Sequence, residues 1–261
     1  MFSWKKVFSS GIFLPYIKKS ARKNNFAQNA NIFREVFDLN SFYRISKIIS
    51  SVLLAFLLAA PARVCAASVP DGVYFFGDST TAHMAVRGGV PTERVWSGEG
   101  STVRFSSVNR ERCVKLPSGE LVTLRAAAAR VKPRVLVITL GVSGGAGVLS
   151  EADFKSIYRA MLLSVKEASP STKIYVQSIL PLSDRSVKYY KRITKEAVLT
   201  ANVWIREVCA SLSVPYIDTH SILTDESGYL KKEYQNDEYM HLTGSAYAAI
   251  LENIKRTIKT S

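Results

Sequence analysis

Histidine and cysteine are scarce in this chain of 261 residues, and each occurs only three times. The three histidines lack the clustered spacing of metal ligands, which predicts that no metal centre is built from them. They are His83, His220 and His241. After Cys65, only Cys113 and Cys209 remain, so a disulfide-rich scaffold is excluded. These two cysteines either form one bridge or stay as unpaired, partly buried thiols.

The chain also lacks an apolar run of the roughly 20 residues that a membrane-spanning helix needs. An apolar run of 13 residues, 48–60, follows a basic stretch that ends at Lys47. Small residues through Ala67 come next, which is the order of a secretory signal with cleavage near Ala66 or Ala67. We therefore expect residues 1–67 to be a basic leader with a signal-peptide-like segment, and residues 68–261 to be an exported domain. An uncleaved segment 48–60 would instead tether the protein to a membrane.

Acidic side chains are outnumbered, with 21 Asp and Glu against 35 Lys and Arg. The imbalance is greatest in residues 1–47, which hold nine basic and two acidic side chains, whereas residues 68–261 hold 25 and 19. This second region shows neither zinc-finger spacing nor a glycine-rich phosphate loop, and we identify no basic–aromatic platform in it. We therefore expect no nucleic-acid partner.

Residues 68–261 alternate between short apolar runs and amphipathic segments. The apolar runs predict strands at 72–77, 93–98, 134–141, 173–179 and 214–218. Capping residues and three-four apolar spacing predict helices at 118–131, 150–170, 193–212 and 244–259, the first capped by Ser118. Strands that alternate with helices predict an α/β fold with a central parallel sheet covered on both faces.

Polar residues follow the ends of several predicted strands, where parallel sheets form their binding sites. Gly77-Asp78-Ser79 follows the first strand, and a 22-residue connection after Asp218 leads to His241. Glu238 and Asp237 precede this histidine by three and four positions. A hydroxyl, a base and a carboxylate that orients the base are the parts needed for nucleophilic acyl transfer.

These segments resemble the conserved blocks of the SGNH (GDSL-type) hydrolase superfamily. The first block is matched by "FFGDSTT", with Ser79 at the nucleophile position and Asp78 expected to hydrogen-bond the local backbone. The last block, Asp-x-x-His, is matched by "EYMHLT", with His241 as base and Glu238 where the family usually has Asp. Asp237 lies one position away and would substitute if the chain bulged. The resemblance implies a three-layer α/β/α, flavodoxin-like fold, an acyl-enzyme mechanism and no cofactor or metal.

The two middle blocks concern the donors to the oxyanion and match less well. In addition to the N–H of Ser79, "VWSGEGST" offers Gly98 and Gly100 as alternative donors. The third block of the family is Gly-x-Asn-Asp, but here "GVSGG" places Ser143 at the Asn position. A serine hydroxyl can donate a hydrogen bond but is shorter, and loss of one oxyanion donor costs about 2.7–4 kcal/mol. This departure predicts a slower esterase, or one rescued by the N–H of Gly144 or Gly145.

The segment "GVSGG" also matches Gly-x-Ser-x-Gly, the nucleophile elbow of α/β-hydrolases. Ser143, Asp218 and His241 follow one another in the order of that fold. However, the elbow needs a helix that starts at the serine, and residues 146–149 intervene before Ser150. We therefore favour Ser79 as the nucleophile.

The resemblance implies an exported serine hydrolase whose substrate is a small-molecule or polysaccharide ester, with a carbohydrate or short-chain acyl ester expected. The alternative is a weakened domain of the same fold that binds acylated glycans without turnover. The presence of Ser143 where the family has Asn favours this alternative.

Overall fold

The computed structural model describes residues 69–98 and 103–260. All of them belong to one compact unit, Val64–Ser261. The leader with its apolar segment 48–60 lies outside the described residues, as does Gly100, so the expectations about them stay predictions. None of the helices in the described ranges has both the length and the apolar character to cross a membrane.

Five strands form the central sheet: β1 (Val73–Gly77), β2 (Val95–Trp96), β5 (Val135–Thr139), β6 (Lys173–Gln177) and β7 (Tyr216–Ile217). Their order across the sheet is β2-β1-β5-β6-β7, and all neighbouring pairs are parallel. The middle strand, β5, is buried along its whole length, which explains its continuous run of apolar, mostly β-branched residues. The parallel sheet predicted from the sequence is confirmed.

Helices cover both faces of this sheet. They are α1 (Ser79–Arg87), α2 (Leu124–Val131), α3 (Glu151–Ala168), α4 (Lys195–Ser211), α5 (His220–Leu223) and α6 (Gly244–Thr260). Successive strand residues point to opposite faces, so Leu136 and Ile138 pack with α2, α3 and α4. Val135 and Val137 pack with α1 and α6 on the other face. The three-layer α/β/α architecture is therefore present.

The predicted helix at 118–131 is wrong in its first half. The structure instead has a small antiparallel pair, β3 (Val114–Lys115) and β4 (Leu121–Val122). The turn between them contains Gly119 at a φ of 86°, a conformation that glycine adopts without steric cost. Helix α2 begins only at Leu124, where the side chain of Thr123 accepts a hydrogen bond from the N–H of Ala126. Ser118 is therefore a turn residue and not the helix cap.

The two cysteines of the described region, Cys113 and Cys209, are both free and buried. The bridge that the sequence left open is not formed. Burial raises the pKa of each thiol to about 12, so both remain protonated at neutral pH.

Candidate active site

Ser79 is the first residue of α1 and lies two positions after the end of β1. Asp78 caps this helix, because its Oδ1 accepts hydrogen bonds from the N–H of Thr80 (3.2 Å) and from the Thr80 hydroxyl (2.9 Å). The expected local role of Asp78 is thus confirmed. This capping fixes the strand-to-helix turn and places Ser79 at the carboxyl end of the sheet.

Gly77 allows this turn to lie close to the neighbouring strand. A Cβ at this position would lie 2.2 Å from the carbonyl oxygen of Thr139 on β5 and 2.1 Å from the hydroxyl of Thr81. Both distances are far below van der Waals contact, so only glycine fits. The structure therefore explains the first two residues of Gly-Asp-Ser: glycine fits against β5, and the aspartate caps α1.

His241 connects Ser79 to a carboxylate. Its Nε2 lies 3.3 Å from the Ser79 hydroxyl oxygen, and its Nδ1 is hydrogen-bonded to Oδ2 of Asp237. The other carboxylate oxygen, Oδ1, accepts from the N–H groups of Tyr239 (2.8 Å) and His241 (3.1 Å). The histidine turn, which we define as residues 237–241, therefore holds both the base and the carboxylate in one short segment.

The electrostatics of the histidine turn favour an ionised Asp237. Burial raises the pKa of this carboxyl, but the hydrogen bonds from Tyr239 and His241 outweigh it, so the pKa lies below its usual value. An ionised carboxylate can only accept a hydrogen bond, so Nδ1 of His241 carries the proton. The lone pair of Nε2 then faces the hydroxyl of Ser79, which is the arrangement of a general base and its nucleophile.

Glu238 does not contact His241, so the expectation that it orients the base is wrong. Its carboxylate forms an ion pair with Arg185 and accepts a hydrogen bond of 2.7 Å from the hydroxyl of Tyr189. The physical reason is the turn itself. Two backbone N–H groups fold back onto Asp237, which brings residue 237 to the imidazole and directs residue 238 away from it.

His83, on the helix that begins at Ser79, lies beside His241. The two ring centroids are 4.6 Å apart in an edge-to-face arrangement. Nδ1 of His83 is buried and has no hydrogen-bond partner among the described residues. Burial and the nearby His241 lower the pKa of His83, which favours a neutral ring. The sequence indicates this proximity to the site, because residues four positions apart, such as Ser79 and His83, share one helix face.

Several backbone N–H groups near Ser79 are available to an oxyanion. Within the described ranges, the N–H groups of Ser79, Ser143 and Gly144 donate no hydrogen bond, whereas that of Gly145 donates to Val142 (3.3 Å). Ser79 also lies at the helix N-terminus, where the dipole favours negative charge. Gly98 follows β2, the neighbour of β1, with a φ of 79°.

A narrow cleft lies next to these groups. Its lining includes Asp78 and Met240, the chain neighbours of Ser79 and His241, together with Val142. Most of the other lining residues, from the ends of β5 and β6, are apolar. Among the residues that the structure describes, no three His, Cys, Asp or Glu side chains gather to hold a metal ion.

The alternative nucleophile elbow at Ser143 is not formed. Helix α3 begins at Glu151 and not at Ser143. Asp218 accepts hydrogen bonds from the N–H (3.1 Å) and the hydroxyl (2.8 Å) of Ser221, while His241 contacts Asp237 and Ser79. The α/β-hydrolase assignment is therefore wrong.

The fold and the site define an α/β/α protein that carries the Ser–His–Asp arrangement used by serine hydrolases. Residues 75–249 match the model of the GDSL-like lipase/acylhydrolase family. The chain belongs to this family, which confirms the resemblance seen in the sequence.

Two solved structures share the fold at low sequence identity. A Streptococcus pneumonia protein described provisionally as a platelet activating factor is 17% identical, with a TM-score of 0.51 over 81% of this chain and 99% of that one. A Bacteroides fragilis protein described provisionally as an acylhydrolase is 15% identical, with a TM-score of 0.50 over 78% of this chain and 96% of that one. A search of curated proteins finds no match.

Proposed function

We propose that this protein is a serine esterase that hydrolyses carboxylic esters through an acyl-enzyme. The observation that carries the proposal is the hydrogen-bonded series from Asp237 through His241 to Ser79. The three residues come from two segments that are 162 positions apart in the sequence. Their meeting at the carboxyl end of the sheet supports a catalytic role.

In the proposed mechanism, Oγ of Ser79 attacks the ester carbonyl carbon while Nε2 of His241 takes its proton. Asp237 holds the imidazole and stabilises the imidazolium that forms. The C–O bond to the alcohol then breaks, and His241 returns the proton to the departing alkoxide. Water, activated by the same histidine, releases the acid and restores Ser79.

The negative charge on the tetrahedral intermediate needs donors that point to the carbonyl oxygen. The N–H of Ser79, the N–H of Gly98 or Gly100 and the Ser143 hydroxyl are the proposed donors. The N–H of Gly144 is an additional donor, because it donates to no other described group.

Labelling with a fluorophosphonate probe tests the assignment of the nucleophile. We expect mass mapping to locate the label on Ser79, and Ser79→Ala to abolish both labelling and hydrolysis of p-nitrophenyl acetate. Ser143→Ala is the matched control, which should weaken turnover but retain labelling. A protein that binds esters without turnover, the function that the missing Asn favours, would leave the probe unreacted.

Ser143→Asn tests the proposal that one oxyanion donor is weak. The longer amide side chain should raise kcat for p-nitrophenyl acetate, because it supplies a donor that the serine hydroxyl provides poorly. An unchanged or lower kcat would show that the backbone N–H groups already suffice.

The proposed substrates are short-chain acyl esters, including those on carbohydrates, and the proposed place of action is outside the cytoplasm. The apolar lining of the cleft beside Ser79 supports an acyl group there, and the signal-like order of residues 48–67 supports export. The mass of the secreted protein tests the second point, because cleavage near Ala66 or Ala67 gives a defined N-terminus. A retained segment 48–60 would indicate a membrane-tethered form.

A further inference from the structure

A group of tyrosines and cations lies beside the histidine turn. We call it the tyrosine–cation surface; its members are Lys188, Tyr189, Tyr190, Lys191, Arg192 and Tyr239. Five of the six are consecutive, in the run "KYYKR".

The rings of this surface pack against one another. The centroids of Tyr189 and Tyr239 are 4.1 Å apart, and Tyr190 lies 6.2 Å from Tyr239. The Tyr189 hydroxyl donates to Glu238, which also pairs with Arg185. Tyr189 nevertheless keeps 45% of its surface exposed. Rings that are already ordered lose little entropy when a ligand stacks on them.

The cations of this surface form no salt bridge with a described residue. Lys188, Lys191 and Arg192 are exposed, whereas the nearby Arg185 and Lys232 pair with Glu238 and Asp184. Lys188 lies near enough to Glu238 to help lower the pKa of that carboxyl, but this carboxylate is already paired with Arg185. Exposed positive charge therefore remains available to a negatively charged ligand.

The surface is continuous with the proposed catalytic site on two sides. Tyr239 lies within the histidine turn, and the charge of Asp237 is near enough to contribute, after burial, to the raised pKa of Tyr190. On the other side, a Cβ at Gly147 would lie 1.9 Å from the carbonyl oxygen of Arg192. The run from Lys188 to Arg192 thus packs against the loop that contains Ser143. A polymer bound on this surface would lead directly to Ser79.

We propose that the tyrosine–cation surface binds the main chain of a polyuronate whose ester group enters the Ser79 site. This inference rests on the proposed esterase function and names its substrate class. Pyranose rings stack on the apolar faces of tyrosines, and ring carboxylates pair with lysine and arginine. A polyuronate offers both groups in every residue. A polyol phosphate lacks the rings, and nucleic acid lacks the carboxylic esters that a site of this kind would hydrolyse.

Charge reversal at two lysines tests this proposal. For Lys188→Glu with Lys191→Glu, the measurement is the ratio of kcat/KM on O-acetylated polygalacturonate to that on O-acetylated pullulan, a neutral polymer. We expect this ratio to fall at least tenfold. The matched control, Lys173→Glu with Lys259→Glu, makes the same change in net charge away from the site and should alter the ratio less than twofold. An equal ratio in both double variants would overturn the proposal.

Ring stacking is tested by a conservative pair. Tyr189→Ala should raise KM for both polymers at least fivefold, whereas Tyr189→Phe, which keeps the ring but loses the hydrogen bond to Glu238, should raise it less than twofold. Similar KM values for these two variants would show that the ring is not a binding surface.

Calorimetric binding to the Ser79→Ala protein separates this inference from the proposed function, because it needs no turnover. Polygalacturonate should bind the Ser79→Ala protein, and the charge reversal should weaken that binding at least tenfold. Tighter binding of poly(glycerol phosphate) or of a single-stranded oligonucleotide would contradict the choice of a polyuronate. If the wild type does not hydrolyse p-nitrophenyl acetate but the Ser79→Ala protein still binds polygalacturonate, only the esterase proposal is contradicted.

Discussion

At the residue scale, the orientation of His241 depends on one position in the histidine turn. Asp237 has the shorter side chain of the two carboxylates, and its Oδ1 accepts two backbone N–H groups of the same turn. Its other oxygen is thereby directed to the imidazole. Glu238 contributes instead to a network with Arg185 and Tyr189 outside the site.

Asp237→Asn should lower kcat for p-nitrophenyl acetate on the order of a hundredfold to ten-thousandfold, because an amide no longer fixes the tautomer of His241. Glu238→Gln is the matched control and should change kcat less than about threefold, since it alters only an exposed ion pair with Arg185 and a hydrogen bond from Tyr189. A larger loss in Glu238→Gln than in Asp237→Asn would contradict the assignment from the structure.

At the element scale, the site depends on the approach of β1 to β5. Gly77 and Thr139 are register partners in this parallel pair, and the capped helix α1 begins two residues later. The connection from Asp218 to His241 is also structured. It contains α5 and the antiparallel bridge of Thr224 with Leu230, and a second antiparallel bridge joins Gln235 to Leu242, the residue after His241. These pairings, which the sequence pattern did not indicate, fix the position of the histidine turn.

Gly77→Ala should lower the free energy of unfolding by about 1–3 kcal/mol or more, because the added methyl group would overlap the backbone of β5. Chemical denaturation measures this change. Gly244→Ala is the control at the start of α6, where the nearest atom to an added Cβ is the Arg87 carbonyl oxygen at 3.3 Å. Its effect on the free energy of unfolding should be clearly smaller. Equal effects would show that the close contact of Gly77 with β5 does not determine the loss of stability.

At the scale of the whole molecule, two apolar clusters hold the sheet between its helices. Cys113 and Cys209 both belong to the cluster beneath α2, α3 and α4, where they are 3% and 1% exposed. Burial keeps their thiols protonated, since it raises the pKa of each to about 12. Their role in the fold is therefore that of small apolar residues.

Both thiols should resist alkylation by iodoacetamide at pH 8 in the native protein and react fully in guanidinium chloride, which peptide mass mapping detects. The raised pKa values also affect stability. Their contribution is complete below the usual pKa of 9.0 and declines as the pH rises from there through about 12. Cys113→Ala with Cys209→Ala should therefore make unfolding less sensitive to alkaline pH. Rapid alkylation of the native protein would contradict the buried positions.

Much of the architecture followed from local sequence. Continuous apolar runs such as 134–141 predicted the central strand, because a strand buried on both faces has no polar side to encode. The helix at 118–131 was wrong in its first half because alanine-rich propensity extended the prediction across the hairpin of β3 and β4, whose turn contains Gly119. Local propensity is a weak signal where a short hairpin competes with a helix.

The sequence by itself determined the parallel α/β fold, Ser79 after the first strand and His241 before the last helix. Only the tertiary structure decided between Asp237 and Glu238, placed His83 beside His241 and brought the run from Lys188 to Arg192 next to the site. The physical reason is that strand and helix periodicity is encoded in neighbouring residues. The direction of a side chain in a turn, and the contacts between segments far apart in sequence, depend on how the whole chain packs.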